Sequence, residues 1–324
     1  MVNRERALRE YIDKKAQGIE IGPYHNPLVP RRLGYNTTSL DIFDAAELRR
    51  RAAADPNIPD DHISLIEEVD LQGSACDIAE LVAAKFGTKK FDYIVSSHNF
   101  EHLPDPIRFL QGCQEVLAVG GVLSLAVPDR RYCFDFYRPA TELSEWLDAF
   151  HERRIRPTAG QVFRGAALRS NLLGAGAWVP GTVALPTPEE DLHSAYATWQ
   201  TGLTAETEPE YTDAHCSAFT PASLELLLAD ARFLDLIKLE TLAIHGPKGC
   251  EFFVHLRNPA PGTPPPERSR HYAARAEIMA RAAREVIDRT PLRTRVFKRV
   301  GRSVRDRGRR VLARIRDGTR GAGR

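Results

Sequence analysis

The chain has 324 residues, 43% hydrophobic and 27% charged, with a net charge of +2, so a soluble globular protein of one large domain, or one domain with an insertion and a tail, is expected. No run of about 20 apolar residues occurs, and the N-terminus is charged throughout, which argues against a membrane-spanning helix and a secretory signal. The five scattered cysteines (Cys76, Cys113, Cys133, Cys216 and Cys250) have no C-x-x-C spacing, which argues for reduced thiols in a cytoplasmic protein and against a disulfide framework or a zinc site.

Residues 3–16 have helical character. A short apolar strand follows at 18–22 and ends in Glu20-Ile21-Gly22. A glycine there lets the backbone turn sharply and approach a ligand, and the strand geometry puts the Glu20 carboxylate at the sheet's carboxyl end, where open α/β sheets bind. Residues 23–35, rich in Pro, Gly and Asn, read as a loop where a first helix would ordinarily lie. A strand is expected at 38–42, then a helix capped by Asp44 to about 54, a short strand near 68–72, and a helix opened by Asp77 and stopped at Gly87. Residues 91–97 form a continuous β-branched run, a buried strand. After a loop at 98–105, Pro106 opens a helix to about 118. Gly120-Gly121 then turns the chain into a strand at 122–127. This alternation predicts an α/β fold: a doubly wound, mostly parallel, seven-stranded Rossmann-like sheet.

Periodicity is lost over 130–216, a stretch rich in aromatics, Gly and Pro that reads as a helical and loop insertion capping the sheet's carboxyl edge. A helix from 220 to about 230 and strands near 234–243 and 251–256 complete the sheet. The expected organisation is a nucleoside-binding domain over 1–129 and 217–258, the insertion over 130–216, and a C-terminal helix (267–289) with a basic tail over 259–324. Residues 290–324 carry a net charge of +11 against −9 for the rest.

By residue 127 the chain resembles the class I S-adenosylmethionine-dependent methyltransferases, type 11-like. The resemblance rests on "IEIGP", "SLDIF", "ACDIAEL", "FDYIVSSHNFEHLPDP" and "LAVGGVLSLAVPD", in that order and spacing. The segments "DRRYCFDFYRP", "HCSAFTPASL" and "GCEFFVHLR" look like a bacterial subgroup associated with surface-glycan biosynthesis. The resemblance implies S-adenosylmethionine as cofactor. Glu20 would position its methionyl end, Gly22 would let the backbone pass beneath it, Asp41 would accept from the ribose hydroxyls, and Asp77 (with Asp70 as rival) would reach the adenine amino group. Ser97 and His98 would line the space between cofactor and acceptor. The family's second glycine is replaced by Tyr24, which is expected to turn away from the cofactor or to send loop 23–30 along another path.

Methyl transfer from a sulfonium needs alignment above all, and a hydroxyl acceptor also needs a base. His98 and His102 are the catalytic candidates, His98 favoured, with His25 and His215 more remote. His98-Asn99-Phe100-Glu101-His102 also fits the H-x-x-E-H pattern of zinc peptidases. That pattern requires both histidines on one helical face, and Leu103-Pro104 interrupts any helix, so no metal is expected. The expected acceptor is a small molecule or a glycan-linked hydroxyl. The amphipathic basic tail suggests peripheral contact with the inner membrane surface; nucleic acid is disfavoured for want of any RNA module, and a nicotinamide cofactor for want of G-x-G-x-x-G. Tyr24 keeps a second reading open, a non-catalytic methyltransferase-fold adaptor.

Overall fold

Two sequence features set the first strand in place. Gly18 sits where a β-carbon would lie 2.0 Å from the Tyr93 ring, so only glycine lets β1 (Gln17–Ile21) close on its neighbour. Around it, apolar residues alternate onto the two faces of the sheet: Ile19, Ile94 and Leu123 pack on one side, Tyr93, Val95 and Ala126 on the other.

The computed structural model describes residues 4–182, 184–189, 192–204 and 213–287. In chain order it runs α1 (Arg4–Leu8), β1, β2 (Asn36–Asp41), α2 (Ala45–Ala54), α3 (Asp60–Ile63), β3 (Leu71–Gln72), α4 (Ile78–Phe86), β4 (Phe91–Ser97), α5 (Pro106–Val116) and β5 (Leu117–Pro128). Then come α6 (Leu143–Glu152), α7 (Ala159–Ala167), the short strands β6 (Ser170–Asn171) and β7 (Thr187–Pro188), and α8 (Leu192–Thr204). The last elements are α9 (Pro221–Phe233), β8 (Glu240–Lys248), β9 (Glu251–Arg257) and α10 (Arg268–Ile287).

Seven strands form one sheet in the order β3-β2-β1-β4-β5-β9-β8, and β6 and β7 pair separately as a ribbon. The pairings from β3 through β5 are parallel, whereas β9 runs antiparallel to both β5 and β8. The expected doubly wound, mostly parallel sheet is what forms. Its order reverses between β1 and β4, and open α/β sheets bind ligands in the crevice at such a switch point. Ile21 is level with Leu40 and with Ser96, so the carboxyl ends of three strands open at one height.

Several expected bounds shift for local reasons. The first helix is only Arg4–Leu8, and the third strand shrinks to two residues. Asp70, just before that strand, is drawn aside by Arg31 and by the Ser39 amide. The fifth strand starts earlier than expected, at Leu117, and passes Gly120 at φ +81. The eighth starts at Glu240 because the chain is still closing the α9 C-terminus, with Leu236 N–H bonded to Ala231 and Asp235 at φ +61. Asp44 caps α2 through the Glu47 amide, as its position predicted. All five cysteines are free thiols, four of them buried and Cys250 half-buried. The basic tail beyond Ile287 lies outside the described residues.

Candidate active site

Three strand tips are stitched into one rim by backbone bonds. The Gly22 amide donates to Leu40 O at 2.8 Å, and the Gly73 amide donates to Asp41 O at 2.9 Å. Gly22 stands at φ +64 with no atom within 4 Å of where a β-carbon would lie, so the backbone faces open space at the switch point. Asp41 ends β2 and is half-buried; burial pushes its carboxyl up, while Oδ1 accepts from the Phe43 amide at 3.2 Å.

Glu20 does not offer a free carboxylate to this rim. It is 3% exposed, and its two oxygens accept the amides of Leu28 at 2.5 Å and Val29 at 3.0 Å. Burial outweighs those two bonds and pushes its carboxyl up to about 7. Glu20 thereby fastens loop 23–30 to β1. Tyr24 takes φ +43, the left-handed conformation that glycine adopts freely. Its ring packs with Leu48, Ala52, Ile58 and Ile66 in the α2–α3 layer and sits edge-on to His25 at 4.9 Å. The chain therefore takes a left-handed turn at a non-glycine residue, at a conformational cost of about 1–2 kcal/mol.

Asp77 and Asp70 are both engaged by arginine. Asp77 pairs with Arg108 at 2.7 Å and does not cap the following helix with its side chain. Asp70 accepts from Arg31 at 2.8 Å and from the Ser39 amide at 2.9 Å, which makes it part of the sheet's fastening.

Across the switch point, the β4 tip gathers residues from remote parts of the chain. Arg4 donates to Ser97 Oγ at 2.5 Å and to Glu251 at 2.6 Å. Glu251 also accepts from His98 Nε2 at 2.9 Å. His98 stands at φ +50, with its amide on Ala126 O. Burial alone would lower the His98 pKa, but the Glu251 bond and the Glu101 charge outweigh it, and the net shift is upward.

A single 3-10 turn, Phe100–His102, then buries Glu101 between three imidazoles. Glu101 Oε1 lies 3.7 Å from His98 Nδ1, 3.7 Å from His102 Nε2 and 3.9 Å from His215 Nε2. His102 Nδ1 donates to Asp213 at 2.8 Å, and His215 Nδ1 donates to Asp135 at 2.5 Å, with Asp135 in turn held by Arg138 at 2.8 Å. The structure thus brings together His98, His102 and His215, of which His215 had been expected to be remote. His25 is elsewhere, beside His62 with ring centroids 5.8 Å apart, its pKa lowered by burial.

Glu251, Arg4, Asp135 and Asp213 carry this tip and had no assigned role in the sequence. Glu251 and Asp135 fall inside the segments "GCEFFVHLR" and "DRRYCFDFYRP", so the signal was present but had no partner to give it meaning.

A doubly wound sheet with a glycine turn at its switch point and an acid ending the next strand is the geometry in which open α/β folds bind nucleosides. The protein-family model described as "Methyltransferase domain" matches residues 3–234, and the chain belongs to that family. Its first part is thus a methyltransferase domain. No curated protein matches the sequence. Among solved structures, the CcbJ methyltransferase from Streptomyces caelestis is 14% identical, with 78% of this chain and 94% of that one covered and a TM-score of 0.38. An S-adenosylmethionine-dependent methyltransferase from Mesorhizobium loti is 12% identical over 79% and 98%, with a TM-score of 0.39. A methyltransferase from Galdieria sulphuraria is 20% identical over 42% of this chain, and the match spans only 47% of that protein, with a TM-score of 0.28.

The open space over Gly22 and the Asp41 carboxylate at the neighbouring tip are the features that would hold an S-adenosylmethionine cofactor, which would supply a methyl group already activated on sulfur.

Proposed function

We propose that this domain methylates a hydroxyl of a small-molecule or glycan-linked acceptor, with His98 as the general base. The observation that carries the reading is the 2.9 Å bond from His98 Nε2 to Glu251 at the β4 tip. A carboxylate that holds one imidazole nitrogen fixes the tautomer and steadies the imidazolium formed when the other nitrogen takes a proton. Here Nδ1 is the nitrogen left for the acceptor proton. An amine or sulfur nucleophile has less need of such a pair, which is why a hydroxyl is favoured.

Gly22 and Asp41 would hold the cofactor directly, Gly22 by backbone approach and Asp41 through ribose hydroxyls. Asp77 would reach the adenine end by exchanging its Arg108 partner, and Ser97 and His98 would border the acceptor. Glu20 would act by shaping loop 23–30. The aromatic stretch 130–216 would cover the acceptor, and a glycan-biosynthetic setting would suit its sugar-stacking composition.

The test is His98→Ala. Turnover on hydroxyl acceptors should fall about 10²–10⁴-fold, the usual worth of a base, while affinity for S-adenosylhomocysteine in calorimetric titration stays within a factor of two. Unchanged turnover removes His98 from the role. The basic tail would rest on anionic lipid at the inner membrane surface. Full-length chain should then co-sediment with phosphatidylserine vesicles more than a chain shortened to 1–289; equal sedimentation ends that idea.

A further inference from the structure

The β4 tip holds a group that the proposed chemistry leaves unexplained. Glu101 is 1% exposed, and among the described residues neither of its carboxylate oxygens has a hydrogen-bond partner. Burying a carboxylate whose oxygens lack hydrogen bonds is unfavourable. The nearest donors are imidazole nitrogens at 3.7, 3.7 and 3.9 Å, too far for hydrogen bonds. They are close to the separation of two ligands sharing one cation. With metal–ligand bonds of about 2.0–2.2 Å in tetrahedral or trigonal geometry, ligand atoms stand about 3.4–3.8 Å apart.

We propose that Glu101, His102 and His215 form a binding site for one divalent transition-metal ion. Glu101, His102 Nε2 and His215 Nε2 offer three ligand atoms, all within 4.8 Å of one another.

The outer contacts are those a metal site requires. Each imidazole presents Nε2 to the centre and donates its Nδ1–H to a carboxylate, His102 to Asp213 at 2.8 Å and His215 to Asp135 at 2.5 Å. Such carboxylates fix the ring's tautomer and aim and raise its basicity as a ligand. The two ligand segments are also tied by the backbone. The Ser217 amide donates to Glu101 O at 3.0 Å, and Cys216 Sγ donates to His102 O at 3.2 Å. The nearby thiol is therefore spent on a carbonyl, and the donor set is two nitrogens and one oxygen. That set suits zinc, cobalt, iron or nickel better than calcium or magnesium. Three protein ligands leave a coordination position for an exogenous oxygen, and His98 Nδ1, 3.7 Å from the same Glu101 oxygen, borders it.

The helical face required of an H-x-x-E-H metal motif is not needed here, because one 3-10 turn together with a segment from beyond residue 212 does the work.

The site is tested without any methyl-transfer assay, so its failure and that of the base reading are separate results. Full-length tag-free protein is stripped with a chelator, dialysed and titrated with Co²⁺, read by its visible d–d absorption, with Zn²⁺ in competition. One equivalent is expected, displaced by zinc, with the absorption band lost in His215→Gln and in Glu101→Gln. Asp213→Asn should fold as the parent does, since this side chain is 65% exposed, and should weaken Co²⁺ binding about 10–100-fold. No stoichiometric binding overturns the proposal and assigns the gap to a buried water. Binding that Asp213→Asn and His215→Gln leave unchanged also overturns it, as does binding that is lost instead in His245→Gln, in the separate Glu10–His245–His255 group.

Discussion

The two sides of the switch point are built in different ways. The rim made by β1, β2 and β3 is a backbone device: Gly22, Leu40, Asp41 and Gly73 are joined by main-chain bonds, and the buried Glu20 fastens its loop. The β4 tip is a side-chain device, in which Arg4, Ser97, His98, Glu101, His102, Asp135, Asp213, His215 and Glu251 converge from distant parts of the chain. A backbone rim tolerates side-chain substitution, which is how Tyr24 keeps a glycine's conformation there. A convergent tip fails when any partner leaves a charge uncompensated.

Three experiments would break or sharpen this contrast. The largest effect is expected at the side chain that fastens the rim's loop. Glu20→Ala leaves the Leu28 and Val29 amides unpaired in a buried site, at about 1–3 kcal/mol for each, so chemical unfolding should show a loss of about 2–6 kcal/mol. A loss under 1 kcal/mol would mean that the loop is held by other contacts.

Next is His255, on the strand that delivers Glu251. Its side chain is fully buried; Nδ1 meets Ser124 Oγ at 2.9 Å, Nε2 has no partner, and the Tyr11 and His245 rings pack against it, with Glu10 bound to His245. Burial, with the His245 charge, lowers its pKa to about 4. The unfolded chain therefore takes up this proton near pH 6.5 and the folded chain only near 4, so the stabilisation is complete above 6.5 and is lost as pH falls through that window. The drop is on the order of 3 kcal/mol. Urea unfolding from pH 7 to 4.5 should show this slope, and His255→Gln should flatten it; an equal slope in the variant would assign the effect to other groups.

The smallest effect is expected at Asp41. If Asp41 holds the ribose hydroxyls as proposed, Asp41→Ala should weaken S-adenosylhomocysteine binding about 10–100-fold, the worth of a charge-assisted bond, with little change in melting temperature. An unchanged affinity would move the ribose elsewhere.

How much was legible in the sequence follows the same contrast. The sheet, the glycine turn and the acid ending β2 came from strand spacing and turn chemistry, because period and glycine placement are local properties. Asp44 as a cap was read the same way. The fastening by Glu20 was not legible because spacing places a carboxylate at a strand end without saying what it bonds to; the Leu28 and Val29 amides meet it only once the loop folds back. His215 looked remote because nothing local shows that residues 215–217 lie along the 101–102 turn.

The placement of the cysteines has a practical consequence. Burial pushes the Cys76 thiol up to about 11 and Cys216 up to about 12, and raises Cys113 well above the usual thiol range. A thiol in that state resists alkylation until its surroundings open. Cys113 lies inside α5 and Cys216 beside the histidine turn, so the modification rate of each would time a separate opening, of the central core and of the convergent tip. The molecule thus carries its own pair of clocks, readable by mass spectrometry without an introduced label.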